Sequence, residues 1–486
     1  MTKSKLFLIF SLSFIIGVAA SSFYYPRILG GEFIYILAIL ALIILAVFYG
    51  NKTAVVVSIA VLFFAFGIFL TNIKLNKLEN LDLDGKDFSG TVKITKEPAM
   101  KTKIQQLIVR PVDNKTIKFL INTDPFAKYA YGDNLEISCM LKIPSNENLD
   151  FDWRMYLAKD GVFYECQKAK IKKLDQNSGN KIYTALLKIK NKFDGNISKL
   201  IPAPESGLLS GLLIGGDDRL SKNIQENFSK TGLTHIVAVS GYNVTIIAEY
   251  LMILGIFLGL WRRQSFWFAV AGIILFVIIV GLPSSAVRAG VMGILLIWAM
   301  KNGRLANSQN AILFSAAVML LFNPLLLRWD IGFQLSFLAT VGIIYFYPIF
   351  NNWAVKKNKT FGLTEILFLT LSAQIFVLPV ILYNFKQLSL ISPLANLLVL
   401  PIVPLAMLLG FAAIVSSFIF FPLGQILSWP AFLLLKYETL AINYLAGLKY
   451  ASVEIKLTWW GVIVWYIILI AGAYFIKKRK LCQNEN

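Results

Sequence analysis

Lys230-Thr-Gly-Leu-Thr-His235-Ile-Val-Ala-Val-Ser240-Gly-Tyr-Asn243-Val-Thr-Ile-Ile-Ala248 opens a long apolar run, and the rest of the chain is read from it. It holds the only histidine, His235, and sets Ser240, Gly241 and Asn243 where a membrane helix would be uniformly apolar. Polar and helix-breaking groups at that depth are costly unless they line a hydrated path or a site buried in protein. The segment therefore reads as a helix broken near Ser240, with its freed backbone groups facing such a path. A tight packing site, where Gly and Ser let two helices approach closely, is the alternative.

The chain has 486 residues, of which 57% are hydrophobic. That exceeds the roughly 45–50% of a soluble domain. Apolar runs of about 20 residues, the length that crosses a bilayer, cover 6–22, 33–49, 53–72, 234–260, 265–282, 284–300, 308–327, 331–350, 364–384, 393–421 and 458–476. The stretch 423–448 carries Lys436 and Glu438, and either crosses or lies in the interface. The formal charge is +20, and its clusters fall at alternate loops: Lys3/Lys5, Lys52, Arg262-Arg263, Lys301/Arg304, Lys356-Lys357-Lys359 and Lys477-Lys478-Arg479-Lys480. The positive-inside rule assigns these to the cytoplasm. With two crossings in 393–448, the fold class is a polytopic α-helical membrane protein of about twelve spans, both termini cytoplasmic. The first run also looks like a signal peptide with Val18-Ala19-Ala20-Ser21 as its cleavage region, but the span count favours retention.

Residues 73–200 break the pattern and fall outside the cytoplasm in this topology. Alternating segments at 89–97, 104–112, 115–122, 134–143 and 162–174, separated by Gly, Pro, Asn or Asp, predict five strands. Five short strands fit an extracytoplasmic OB-like β-barrel, with a small β-sandwich as the alternative. Its most basic strand carries Lys168, Lys170, Lys172 and Lys173. Such charge either attracts polyanions, giving an external DNA contact, or is a solvated face. Cys139 and Cys166 fall in this domain, where oxidation is permitted; they form a disulfide or stand as two separate buried thiols. Residues 181–200 predict an amphipathic helix on the membrane surface. The small apolar stretch Ser206-Gly-Leu-Leu-Ser-Gly-Leu-Leu-Ile-Gly-Gly216 suits a re-entrant helix, followed by Asp217, Asp218 and Arg219. The domains expected are N-terminal helices over 1–72, the β domain over 73–176, amphipathic and re-entrant helices over 177–232, a channel bundle over 233–480 and a cytoplasmic tail over 481–486.

Several of these residues resemble the ComEC competence family of membrane DNA-uptake channels. The resemblance rests on Gly216-Asp217-Asp218-Arg219, Thr231-Gly-Leu-Thr-His235 through Ser240-Gly-Tyr-Asn243-Val244, and Pro283-Ser-Ser-Ala-Val-Arg288-Ala-Gly-Val-Met292. Gln334-Leu-Ser336 through Gly342, Gln374 with Pro379, Pro393-Leu-Ala-Asn396 through Pro401, and the external Tyr131-Gly-Asp133 and Phe151-Asp152-Trp153 stretches extend it over about 75–480. The family's second histidine is Asn243 here, so no titratable imidazole stands at that position. Many members append a metallo-β-lactamase-like domain; the chain ends at Asn486, and one histidine cannot build that metal site. The resemblance thus implies a form without that domain, no enzyme activity by that route, and neither metal nor cofactor.

It further implies a bacterial cytoplasmic (inner) membrane location and a channel conducting single-stranded DNA inward during natural transformation. His235, Ser240, Asn243, Arg288, Gln334, Gln374 and Asn396 are expected along the path. His235 would contact phosphate, or be an interfacial histidine satisfied by backbone; the Gln and Asn positions otherwise join helices. Arg288, four residues into its run, either snorkels or lines a polar cavity, where its permanent fork suits phosphate. Asp217, Asp218 and Asp330 are expected to pair with Arg288 or Arg219, or to hold a divalent metal. A serine hydrolase at Ser240 is excluded, because Ala-Val-Ser-Gly lacks the nucleophile elbow. Partners expected are an external DNA-receptor protein, a cytosolic ATPase motor or strand-binding protein, a separate nuclease and membrane lipids. The alternatives are a small-solute or ion transporter and a metal-dependent membrane-embedded hydrolase.

Overall fold

The computed structural model describes residues 2–26, 30–79, 83–101, 104–113, 117–146, 151–216, 219–301, 308–355 and 362–484. The chain begins with α1 (Lys3–Tyr24), α2 (Gly31–Val47) and α3 (Lys52–Glu79). A β region follows: β1 (Asp87–Ile94), β2 (Ala99–Lys101), β3 (Ile104–Pro111), β4 (Lys118–Thr123), β5 (Asp133–Lys142), the short α4 (Trp153–Ala158) and β6 (Val162–Asn177). Then come α5 (Lys181–Leu200), α6 (Glu205–Ile214), α7 (Lys222–Lys230), α8 (Thr234–Val237) and α9 (Gly241–Phe257). Next are α10 (Arg262–Ile279), α11 (Ser284–Lys301), α12 (Ser308–Phe322), α13 (Leu326–Trp329), α14 (Ile331–Val355) and α15 (Leu363–Phe385). The chain closes with β7 (Gln387–Ser389), α16 (Ser392–Val399), α17 (Val403–Ile419), α18 (Phe421–Ala446), β8 (Ser452–Glu454) and α19 (Trp459–Asn484).

Among the described residues, α1, α3, α10, α14 and α15 are long and apolar enough to cross a membrane. The pair α16 and α17 makes a sixth candidate, bent by 44°. Helices α2, α6, α9, α11, α12 and α19 hold shorter apolar stretches. Three of the expected runs are interrupted. The run 308–327 is split between α12 and α13, 234–260 between α8 and α9, and 393–421 between α16 and α17. Proline explains the last break: Leu400 keeps helical dihedrals, but Pro401 has no N–H to continue the α16 ladder, and Pro404 sits in the first turn of α17, where a missing N–H costs nothing.

The structure divides into two compact units. The first covers 1–191 and 298–333. Here α1 and α3 pack together, and Ser21 Oγ donates to Asn72 Oδ1 at 2.7 Å between them. Strands β1, β5, β6, β4 and β3 close on themselves through the β1–β3 pairing, with β4 and β6 parallel and the rest antiparallel. This is the expected five-stranded barrel. The extra strand β2 is only three residues long, too short to show an alternation in sequence. Val92, Ile94, Leu107, Val109, Phe119, Ile121, Leu135 and Ile137 fill the interior. Cys139 and Cys166 are joined as a disulfide with their Cα atoms 5.6 Å apart. Asp152 caps α4 by accepting from Met155 N at 3.1 Å, and Met155 and Ala158 pack with Leu75, Leu78, Leu325 and Trp329.

The second unit covers 192–297 and 334–486. Its core gathers α6, α8, α16, α17 and α18 around Leu208, Leu212, Val237, Val399, Met407 and Leu435. Nine of the ten residues of α6 are buried, which suits its small and apolar sequence. Strands β7 and β8 form an antiparallel ribbon, Gln387 opposite Glu454 and Ser389 opposite Ser452.

Candidate functional site

The break in the His235–Asn243 segment is built by backbone. After Val237 the chain turns extended, with ψ 133 at Ala238 and ψ 169 at Ser240, and α9 restarts at Gly241. Such a break frees backbone groups that must find other partners. The Val239 carbonyl accepts from Ser285 Oγ at 2.7 Å, in the first turn of α11. Ser240 Oγ donates to Asn243 Oδ1 at 3.1 Å, and Asn243 Nδ2 donates to the Leu212 carbonyl of α6 at 3.2 Å. Three separate stretches, α6, α9 and α11, are therefore tied at one point.

Arg288 lies one turn further along α11. Its Nε donates to Ser336 Oγ at 2.7 Å, and its Nη1 donates to Thr340 Oγ1 and approaches Met292 Sδ at 3.6 Å. The guanidinium also stands 5.9 Å from the centre of the Phe337 ring. Ser336 and Thr340 are four apart on α14 and so share a face. Gly241 completes the setting: a Cβ there would lie 2.6 Å from Arg288 Nη2, so the guanidinium rests against a bare backbone. Among the described residues no carboxylate pairs with Arg288; its partners are hydroxyls and a thioether. The site is thus a positioned cation at the start of α9, whose helix dipole adds to the same sign. Its chemistry is attraction of an anion.

His235 is exposed, and its Nδ1 lies 3.2 Å from the Gly232 carbonyl. A carbonyl only accepts, so Nδ1 carries the proton in this contact. Gly232 has φ +72, and a Cβ there would come 2.7 Å from Ser392 Oγ, which places the loop before His235 against the start of α16. Asn396 stays within that turn, donating to the Ser392 carbonyl at 2.9 Å and to its Oγ at 3.2 Å. Asn243 and Asn396 are both buried, at 1% and 4% exposure. Their amides are turned into protein rather than onto an open wall. Gln334 and Gln374 are half-buried on α14 and α15, and Gln374 Oε1 has no hydrogen-bond partner among the described residues.

The acidic candidates fall elsewhere. Asp217 and Asp218 lie outside the described residues. Arg219 pairs with Asp194 of α5, which also accepts from Ser210 Oγ at 2.7 Å. Asp330 pairs with Lys159 at 2.8 Å. Its Oδ1 also accepts from Phe333 N at 2.8 Å, capping α14. Among the described residues no three His, Cys, Asp or Glu side chains converge as metal ligands would. Of the barrel lysines, Lys173 pairs with Asp133 at 2.6 Å and Lys172 faces Glu136 at 4.0 Å, while Lys168 and Lys170 are exposed. That strand's charge is partly neutralised.

Sequence reasoning missed Ser285, Ser336 and Thr340 as partners of the break and of Arg288; hydroxyls four apart in an apolar run were the available signal. It also missed a polar contact between α6 and α18. Glu205, only 2% exposed, accepts from Thr439 Oγ1 at 3.0 Å and lies 3.7 Å from Lys436 Nζ. Glu438 beside them is fully buried, and neither carboxylate oxygen has a hydrogen-bond partner among the described residues.

A family model described as "Competence protein" matches residues 212–480. ComE operon protein 3 of Bacillus subtilis (strain 168) is 28% identical over 285 residues, 58% of this chain and 35% of that protein. Competence protein ComA of Neisseria gonorrhoeae is 28% identical over 234 residues, 44% of this chain and 31% of that protein. The chain thus matches about a third of the length of these curated relatives. No solved structure matches it.

Proposed function

The chain belongs to the competence protein family, and from that membership and the Arg288 constellation we propose that it conducts single-stranded DNA into the cytoplasm during natural transformation. The observation that carries this reading is a guanidinium held by neutral groups beside a break in an apolar segment. A cation with a carboxylate partner is spent on that partner; one held by hydroxyls keeps its field for a passing phosphate. Arg288, Ser240 and His235 then contact the strand, with Gln334 and Gln374 further along. Asn243 and Asn396 brace the wall rather than form it.

In this reading about twelve spans cross the cytoplasmic membrane with both termini inside, and the barrel meets DNA on the outer side. Each phosphate moving inward opposes an inside-negative potential, about 2.3 kcal/mol per charge across 100 mV. The chain carries no Gly-x-x-x-x-Gly-Lys-Ser/Thr loop with which to use ATP. A cytosolic motor or strand-binding protein therefore supplies the work, an external receptor delivers the DNA, and a separate nuclease degrades the second strand. Uptake of labelled DNA by cells carrying Arg288→Ala or His235→Ala tests the proposal. Both variants should accumulate in the membrane normally, and Arg288→Ala should lower internalisation at least about 10-fold, the scale of one lost charge-assisted contact. Internalisation at the unaltered rate by both would end it.

A further inference from the structure

An apolar groove lies between α1 and α3, two helices that are each long and apolar enough to cross a membrane. They run parallel: Phe10 stacks on Phe63 at 5.4 Å, Phe14 meets Phe66 at 5.9 Å, and Ser21 bonds to Asn72 further along. At mid-helix they touch through glycine. A Cβ on Gly17 would run into the Phe64 carbonyl, and one on Gly67 into that of Phe14. The small residues that let membrane helices approach closely are thus already used between these two.

Toward the starts of both helices the groove opens to a volume of 410 Å³. Ile9, Ser13 and Ile16 of α1 face Thr53, Val57 and Ala60 of α3 across it. Residues three and four apart share a helix face, so each set forms one stripe. Ile16 and Val57 remain 55% and 49% exposed, which leaves the groove open along its side. It extends from Thr53 to Phe64, about 16 Å at 1.5 Å rise per residue. That is close to half of the ~30 Å hydrocarbon thickness, the depth of one bilayer leaflet.

Each stripe is preceded by a cation. Lys5 stands one turn before Ile9, and Lys52 one turn before Val56, which also lines the groove. Both lysines are exposed, and neither helix has an acidic residue in its first turn. Because the helices are parallel, the two ammonium groups and the two positive dipole ends share one mouth. Tyr49, 80% exposed in the turn before α3, has the apolar body and polar tip that settle at headgroup level. A leaflet-deep apolar slot with positive charge at its mouth matches a lipid: one chain along the slot, one anionic headgroup at the lysines.

We propose that the α1–α3 groove holds an acyl chain of an anionic phospholipid whose headgroup phosphate is bound by Lys5 and Lys52. A zwitterionic lipid brings the same chains without the net charge, so the site discriminates between the two. The groove residues belong to the first unit and Arg288 to the second, so failure of this site leaves the uptake reading untouched.

Native mass spectrometry of the purified full chain, released from detergent micelles, tests this by counting retained lipid. The probes are phosphatidylglycerol and phosphatidylcholine with identical acyl chains. The unaltered chain should retain phosphatidylglycerol at least about 5-fold more strongly, the scale of one lysine near an anionic surface. Lys5→Gln/Lys52→Gln, at two exposed positions, should remove that preference. Ala60→Phe, which fills the groove, should abolish retention of both lipids; Ser13→Phe fills it from α1 and serves if the first variant fails to accumulate. Equal retention of the two lipids by the unaltered chain, or an undiminished preference in Lys5→Gln/Lys52→Gln, overturns the inference. Equal competition by glycerol phosphate, a headgroup without chains, overturns the role given to the groove. A dimer that the groove-filling variant dissociates with lipid retention unchanged assigns the groove to a second copy of the chain, and overturns the inference as well.

Discussion

Arg288 is positioned without being neutralised, and that distinction sets the sharpest expectations for single residues. Arg288→Lys keeps the charge but loses the fork that reaches Ser336 and Thr340 together. We expect it to leave protein level unchanged and still lower DNA uptake several-fold, read as transformation frequency. Gly241→Ala should do the same from the other side, because its methyl would fall 2.6 Å from Nη2 and displace the guanidinium. Unchanged transformation in Gly241→Ala would mean that the contact has no role in uptake. Arg288 itself was legible in the sequence, being a cation inside an apolar run. Its partners were not, because serine and threonine in a membrane helix equally often bond their own backbone, as Thr340 Oγ1 also does to Ser336 O at 2.9 Å.

The broken segment shows how element boundaries arise here. Ser240, Gly241 and Asn243 announced the break in sequence, and the structure places it between α8 and α9. What sequence could not supply was the route by which the freed groups are satisfied, since Ser285 and Leu212 lie 46 and 31 residues from their partners. Asn243→Ala removes the bond to the Leu212 carbonyl and strands a buried acceptor. We expect a loss of about 1–3 kcal/mol, visible as a lower thermal midpoint in detergent. Asn243→His should recover less than half of it if the amide's paired donor and acceptor are what matter. The barrel strands were legible because period-two alternation survives in short segments. The bend between α16 and α17 was missed for the opposite reason: an apolar run looks continuous until Pro401 and Pro404 are weighed against it.

At the scale of the molecule, the barrel is fastened to the helices of its own unit through α4. Lys159 and Asp330, each 11% exposed, pair at 2.8 Å, and Asn323 Nδ2 donates to the Lys159 carbonyl at 2.8 Å. Sequence could not propose this pair, whose members are 171 residues apart. Asp330→Asn leaves Lys159 mostly buried without its counter-ion, at a cost on the order of 3 kcal/mol. Limited proteolysis should then cut the segment between β5 and β6 faster than in the unaltered chain; identical cleavage would show that the pair does not fasten the barrel. The family relationship was readable from scattered motifs. The β7–β8 ribbon adds a constraint of a different kind. Two hydrogen-bonded strands outside a bilayer lie on the same face of it, so any passage that the polypeptide between Ser389 and Ser452 makes must be matched by a return. It can only make an even number of passages. If the bent pair α16–α17 goes across, α18 has to come back, despite carrying Lys436 and Glu438.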